Sequence, residues 1–116
     1  IGYAPFVYRD LAVDADALTL SVKVRNAGDI AGEETVQVYL RDCVCEVMQP
    51  VKQLIAFRKV LLQPGEEQEV TFHLDRTAFT YINRAEERVF APGDFMLMAG
   101  HSAKDEDLLK ETVWVG

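Results

Sequence analysis

The chain has 116 residues, of which 49% are hydrophobic and 27% charged, and its net charge is -7. This size and balance are typical of one globular domain. A surplus of carboxylates repels phosphate backbones and anionic lipid surfaces, so nucleic acid and membranes are not expected partners. No apolar run approaches the about 20 residues of a membrane-spanning helix.

The chain begins at Ile1 rather than at a methionine, and no targeting segment is visible. These features predict an excised or processed part of a longer polypeptide. Residues 1–116 are expected to form a single domain of it.

Alternation of apolar and polar residues is the main signal in the first half of the chain. A strand is predicted from Phe6, and "LTLSVKVRN" from Leu18 places its apolar residues on one face. The stretch "NAGDIAG" that follows has the composition of a turn. Alternation resumes at Val36, which predicts two adjacent strands joined by that turn.

The second half continues the same pattern with one irregularity. "LIAFRKVLL" from Leu54 is strand-like, but its alternation slips, which predicts a bulge or bend. "QPGEEQ" is a turn, a strand follows around Val70, and "DRTAFTYIN" predicts a short helical turn or corner. "APGDFMLMAG" and "LLKETVWVG" are the last strands, with the loop "HSAKDED" between them.

About seven strands with turn residues between them predict an all-β, antiparallel sandwich on the immunoglobulin plan, with a barrel as the less favoured option. The inward positions of these strands give an expected core of Leu20, Val22, Val24, Val36, Val38, Leu40, Phe57, Val70, Phe72, Phe95 and Leu97.

Residues able to do chemistry are present but scattered. The carboxylate runs lie beside turns, where water keeps them as a hydrated rim, whereas a glycosidase needs two carboxylates facing each other across a pocket. His73 lies on the polar side of its strand, and His101 next to Ser102 is not the geometry of a triad. No catalytic residue, cofactor or metal site is therefore expected.

Cys43 and Cys45 are separated by one residue, so a disulfide between them would be strained and would close almost no loop. Unpaired thiols without a role in holding the fold together are expected. Free thiols are a weak indication of a reducing, cytoplasmic compartment.

An outer surface for a partner is predicted near the C-terminal edge. If Phe95 and Leu97 point into the core, Met96 and Met98 point out, and in the last strand Trp114 also points out. Met96, Met98 and Trp114 are therefore the predicted docking face, because methionine and tryptophan on a wet face indicate a partner. The alternative is that a loop of the same domain, such as residues 75–83, covers them.

Three longer segments carry a family resemblance. "VRNAGDIAGEETVQVYLRD", "QPVKQLIAFRKVLLQPGEEQEVTFHL" and "APGDFMLMAGHSAKD" follow one another with the spacing of a single domain type. The chain resembles the fibronectin type III-like domain at the C-terminus of many family 3 glycoside hydrolases, the β-glucosidase and β-xylosidase group.

The resemblance implies a fibronectin type III-like sandwich that is not itself an enzyme. It would pack against the catalytic domains of a parent glycosidase that acts on a β-linked sugar, and those domains would supply the catalytic residues. Two other functions remain open at this point. One is a carbohydrate-binding sandwich that uses outward aromatics such as Tyr39 and Trp114, and the other is an adhesion-type interaction domain.

Overall fold

The computed structural model describes residues 5–43 and 52–116, and within these ranges strands make up most of the secondary structure. The strands are β1 (Phe6–Asp14), β2 (Thr19–Asn26), β3 (Gly32–Asp42), β4 (Gln53–Leu62), β5 (Glu67–His73), β6 (Tyr81–Ile82), β7 (Arg88–Val89), β8 (Gly93–Gly100) and β9 (Leu109–Val115). Two 3-10 turns occupy Arg76–Phe79 and Asp105–Asp107. No helix in the described ranges has the length and apolarity needed to cross a membrane.

The seven longer strands form two antiparallel sheets. One sheet has the order β1-β2-β5, and the other has the order β4-β3-β8-β9. The short strands β6 and β7 pair as a hairpin within the crossover from β5 to β8. The predicted sandwich and the predicted helical turn after β5 are thus confirmed, and the last two strands pair with each other.

The core lies between the two sheets and follows the alternation of their strands. Ten of the eleven residues expected in the core are buried. The structure adds others that pack with them, namely Val60, Leu62, Phe79, Ala99 and Val115. Phe79 comes from the 3-10 turn and meets Phe95 edge-on, with ring centroids 5.1 Å apart.

Phe57 is the exception, because its side chain is 63% exposed and the prediction that it lies in the core is wrong. The slip in alternation is a bulge: Leu54 pairs with Tyr39 and Ala56 pairs with Val38, so Ile55 has no partner in the ladder. Beyond the bulge, Phe57 pairs with Gln37 on the outward face of the sheet.

Asn26 explains why the strand after Leu18 ends in a polar turn. It is completely buried, and its Nδ2 donates to the carbonyl oxygens of Ile30 at 2.8 Å and Leu62 at 3.0 Å. Its Oδ1 accepts from the backbone N–H of Gly28 at 2.9 Å. Its carbonyl accepts from the N–H of Gly65 at 2.7 Å. One amide therefore joins the β2–β3 loop to the β4–β5 turn at one end of the sandwich.

Candidate docking surfaces

The outer face of the three-stranded sheet carries charged side chains that form ion pairs with one another. Arg9 donates to the two carboxylate oxygens of Glu67 through Nε and Nη2, each at 2.7 Å. Lys23 lies 3.3 Å from a carboxylate oxygen of Asp10. The hydrogen bond from Arg9 holds the pKa of Glu67 below its usual value. Matched charges of this kind are typical of a face that remains in water.

The outer face of the four-stranded sheet is different, because large apolar side chains lie on it. The β3–β4 register directs Leu54, Phe57 and Leu61 outward, and they are 51%, 63% and 64% exposed. We call these three residues the β4 patch. β4 is an edge strand with β3 on one side only, so the patch lies along the rim of the sandwich.

The centre of the same outer face is covered by the chain itself. Residues 101–108, called the strap here, connect β8 to β9, and Leu108 packs against Met98 and Tyr39. Met98 is 0% exposed and Tyr39 is also buried, so the expectation that both are exposed on the outer face is wrong. They do point away from the main core, but the strap, rather than residues 75–83, lies over them.

Polar contacts hold the strap in place. Lys52 donates to the carbonyl oxygen of Ala103 and to the carboxylate of Asp105, and its ammonium lies 5.6 Å from the ring centroid of Tyr39. The hydrogen bond and charge of Lys52 lower the pKa of Asp105. Arg41 approaches the same carboxylate at 3.9 Å.

Trp114 is the exposed part of the predicted docking face. It is 62% exposed and pairs with Asp94, while Met96, two residues along β8, is half-buried against the strap cluster. Strands β3 and β8 separate β9 from β4, a distance of about 14 Å at the usual strand spacing. The three predicted residues thus share an outward orientation but not a continuous exposed surface, and the β4 patch was missed.

Other candidate groups have structural partners. Tyr8 donates to Glu34 at 2.8 Å, and burial together with this contact raises the pKa of Tyr8. In residues 5–43 and 52–116, no three His, Cys, Asp or Glu side chains are placed to hold a metal ion. Cys43 is an exposed free thiol, whereas Cys45 lies outside the described residues.

This fold is a fibronectin type III-like sandwich. One antiparallel sheet has three strands in the order β1-β2-β5, and the other has four in the order β4-β3-β8-β9. The chain belongs to the fibronectin type III-like domain family, whose sequence profile matches residues 34–103.

Relatives of the chain are glycosidases. It is 41% identical to thermostable beta-glucosidase B of Acetivibrio thermocellus over 99% of this chain and 16% of that protein. It is 33% identical to a beta-xylosidase of Formosa agariphila, over 93% of this chain and 16% of that protein. The crystal structure of a β-glucosidase from Listeria innocua in complex with glucose superposes with a TM-score of 0.86 at 39% identity, over 98% of this chain and 16% of that one.

These matches confirm the resemblance to the fibronectin-like domain of family 3 glycoside hydrolases. The chain spans only 16% of the length of these relatives.

Proposed function

We propose that this chain, as one domain over residues 1–116, is a non-catalytic structural part of a larger β-glucosidase- or β-xylosidase-like enzyme. Its partners are the catalytic domains of that enzyme, against which the outer face of the four-stranded sheet packs. The parent acts on a β-linked sugar. Nucleic acid and membranes are not partners, because the domain carries a net charge of -7.

The contrast between the two outer faces is the observation that carries this proposal. The sandwich completes its own core and pairs the charges of one face, yet it leaves the β4 patch and Trp114 in water on the other. Several large apolar side chains left exposed along one edge strand of a well-packed domain favour a protein interface there. Since the relatives are about six times longer than the chain, the other domains of such an enzyme are the occupant that fits best.

The absence of a catalytic centre in the described residues supports the same assignment. Glu67 and Asp105 are held in ion pairs, and the groove beside the 3-10 turn has a single carboxylate, that of Asp75, in its lining, whereas a glycosidase uses two. Tyr39 is buried under the strap, so it cannot contribute to the alternative function, a platform of exposed aromatic rings that binds sugar.

The first test is hydrolysis. The purified chain is expected to release no product from aryl β-glucosides or aryl β-xylosides, whereas a polypeptide that also contains the catalytic domains is expected to do so. Turnover that co-purifies with the 116-residue chain contradicts the non-catalytic assignment. A gene that encodes no catalytic domain beside this chain contradicts the structural assignment.

A further inference from the structure

Strand β4 carries only positive charge, although the domain as a whole is acidic. The chain has a net charge of -7, yet the sequence of β4, "QLIAFRKVLL", contains Arg58 and Lys59 and no aspartate or glutamate. The three exposed apolar residues of the β4 patch lie on this same strand. The edge of the four-stranded sheet is therefore a cationic and apolar strip on an acidic molecule.

Lys59 lies in the middle of the longer part of the β4 patch. Its side chain is exposed, and the β3–β4 register pairs it with the neutral Thr35 on the outward face. Phe57 and Leu61 flank it on that face, two residues away in either direction. Alternate residues of a strand are about 7 Å apart, so an apolar side chain lies one such step to each side of the ammonium group.

The structure gives Lys59 no carboxylate of its own domain. Glu33 lies opposite Leu61, two residues further along the ladder, and no ion pair joins it to Lys59, although both are in the described part of the chain. The guanidinium of Arg58 lies 5.3 Å from the ring centroid of the core residue Phe72. The positive charge of Lys59 is thus available to a carboxylate from outside the domain.

We infer that the β4 patch receives a carboxylate flanked by apolar side chains, carried by the part of the parent enzyme that lies beyond this chain. The inference rests on the proposed structural role and adds the chemistry of the partner surface. Because the chain spans only 16% of its relative's length, most of such an enzyme is available to supply that surface.

Charge complementarity is the reason for an acidic partner. Apolar groups of the partner cover Phe57 and Leu61 and exclude water, which leaves the attraction between Lys59 and the carboxylate less screened than at an open surface. A partner surface with a lysine or arginine at this place would be repelled. Lys59 therefore contributes to the choice of the surface that fits, and the flanking apolar residues contribute the burial.

Zero-length cross-linking of the longer enzyme with a water-soluble carbodiimide tests this pairing, because the reagent joins only an amine and a carboxylate that are in contact. Peptide mass analysis is expected to show Lys59 linked to an aspartate or glutamate outside residues 1–116 that has apolar neighbours. Lys23 is the internal control, since its ammonium lies 3.3 Å from the carboxylate of Asp10 and should be linked to it.

Charge reversal separates the ion pair from the packing around it. Lys59→Glu is expected to lower the melting temperature of the longer enzyme by about 2–4 °C, and Lys59→Met, which keeps an apolar stem, by less than half of that. Replacing the cross-linked carboxylate by lysine should restore the melting temperature of Lys59→Glu. Arg84→Glu, at the exposed tip of the β6–β7 hairpin, makes the same change in net charge and should have no effect.

Two outcomes overturn the acidic partner: Lys59 is linked to no carboxylate beyond its own domain, or Lys59→Glu and Lys59→Met melt at the same temperature. Hydroxyl-radical footprinting of the longer enzyme then judges the structural role separately. If Phe57 and Leu61 are protected, that role stands and only the chemistry of the partner is wrong. If both remain reactive, the packing of this face against the enzyme is wrong as well.

Discussion

Asn26 shows how one buried polar side chain can set the geometry of a whole end of the sandwich. Its amide and backbone serve two loops that are distant in sequence, the β2–β3 loop and the β4–β5 turn. Buried amides are tolerated only when their hydrogen bonds are satisfied, and here both the donor and the acceptor end have partners.

Asn26→Ala is expected to destabilise the fold by about 2–3 kcal/mol, because it leaves the carbonyl oxygens of Ile30 and Leu62 buried without this donor. Asn83→Ala, which removes a similar turn acceptor at the surface, is expected to cost about 1 kcal/mol. Urea unfolding of both variants measures the difference. Equal losses would show that burial of the Asn26 network contributes nothing extra.

The ion pair between Lys52 and Asp105 makes a pH-dependent contribution to the strap. Because the folded-state pKa of Asp105 is lowered, that contribution is present above the ordinary pKa of 3.8 and is lost as the pH falls through the lower folded-state value. In Lys52→Met, the carboxyl titration of Asp105 measured by NMR is expected to move up toward 3.8. Lys59→Met, on the outer face of β4, is the control and should leave the midpoint in place. An unchanged midpoint in Lys52→Met contradicts the pairing.

At the scale of elements, the strap decides how much of the four-stranded sheet is available to a partner. It turns back directly after β8, and it lies so close to the sheet that a Cβ on Gly100 would be 2.8 Å from the carbonyl oxygen of Asp107 and 2.8 Å from Leu108 Cδ2. Glycine is required there by this close approach, since no side chain fits between β8 and the strap.

Gly100→Ala is therefore expected to displace the strap, to cost about 1–3 kcal/mol through overpacking, and to expose Met98. Gly93→Ala, at the other end of the same strand, meets no atom within 4 Å and is expected to be nearly neutral. Chemical unfolding and the rate of Met98 oxidation by peroxide, followed by peptide mass analysis, report the two effects. If Met98 is oxidised at the same slow rate in both variants, the close approach at Gly100 is not what keeps the strap over Met98.

At the scale of the whole molecule, the two sheets have different outer surfaces, and this asymmetry orients the domain in the proposed enzyme. The three-stranded sheet presents paired charges to water, whereas the four-stranded sheet offers the β4 patch at one edge and Trp114 at the other. A partner that covers the second face removes apolar surface from water without breaking ion pairs.

Phe57→Glu combined with Leu61→Glu is expected to lower the melting temperature of the longer enzyme by several degrees, because it places charges in a buried interface. In the isolated chain the same residues are exposed, so stability should change by no more than about 0.5 kcal/mol per site. Val7→Glu, on the outer face of β1, is the matched control and should be neutral in both proteins. Equal effects of the double variant in both proteins would place the β4 patch outside the interface.

The sequence by itself determined the class of fold, most of the core and the regular turns. Alternation with period two reports which side of a strand faces the core, and this local rule held for β2, β3, β5 and β8. The signature segments also determined the family, because their order and spacing extend over most of the chain.

Only the tertiary structure decided which outward side chains remain exposed. The bulge at Ile55 reversed the direction expected for Phe57, since one unpaired residue shifts every later side chain to the other face. The strap covered Met98 and Tyr39, because Lys52 and Leu108 bring residues 101–108 back over strands that are distant in sequence. Register shifts and long-range loop contacts depend on the free energy of the whole packed domain, so periodicity in one strand cannot predict them.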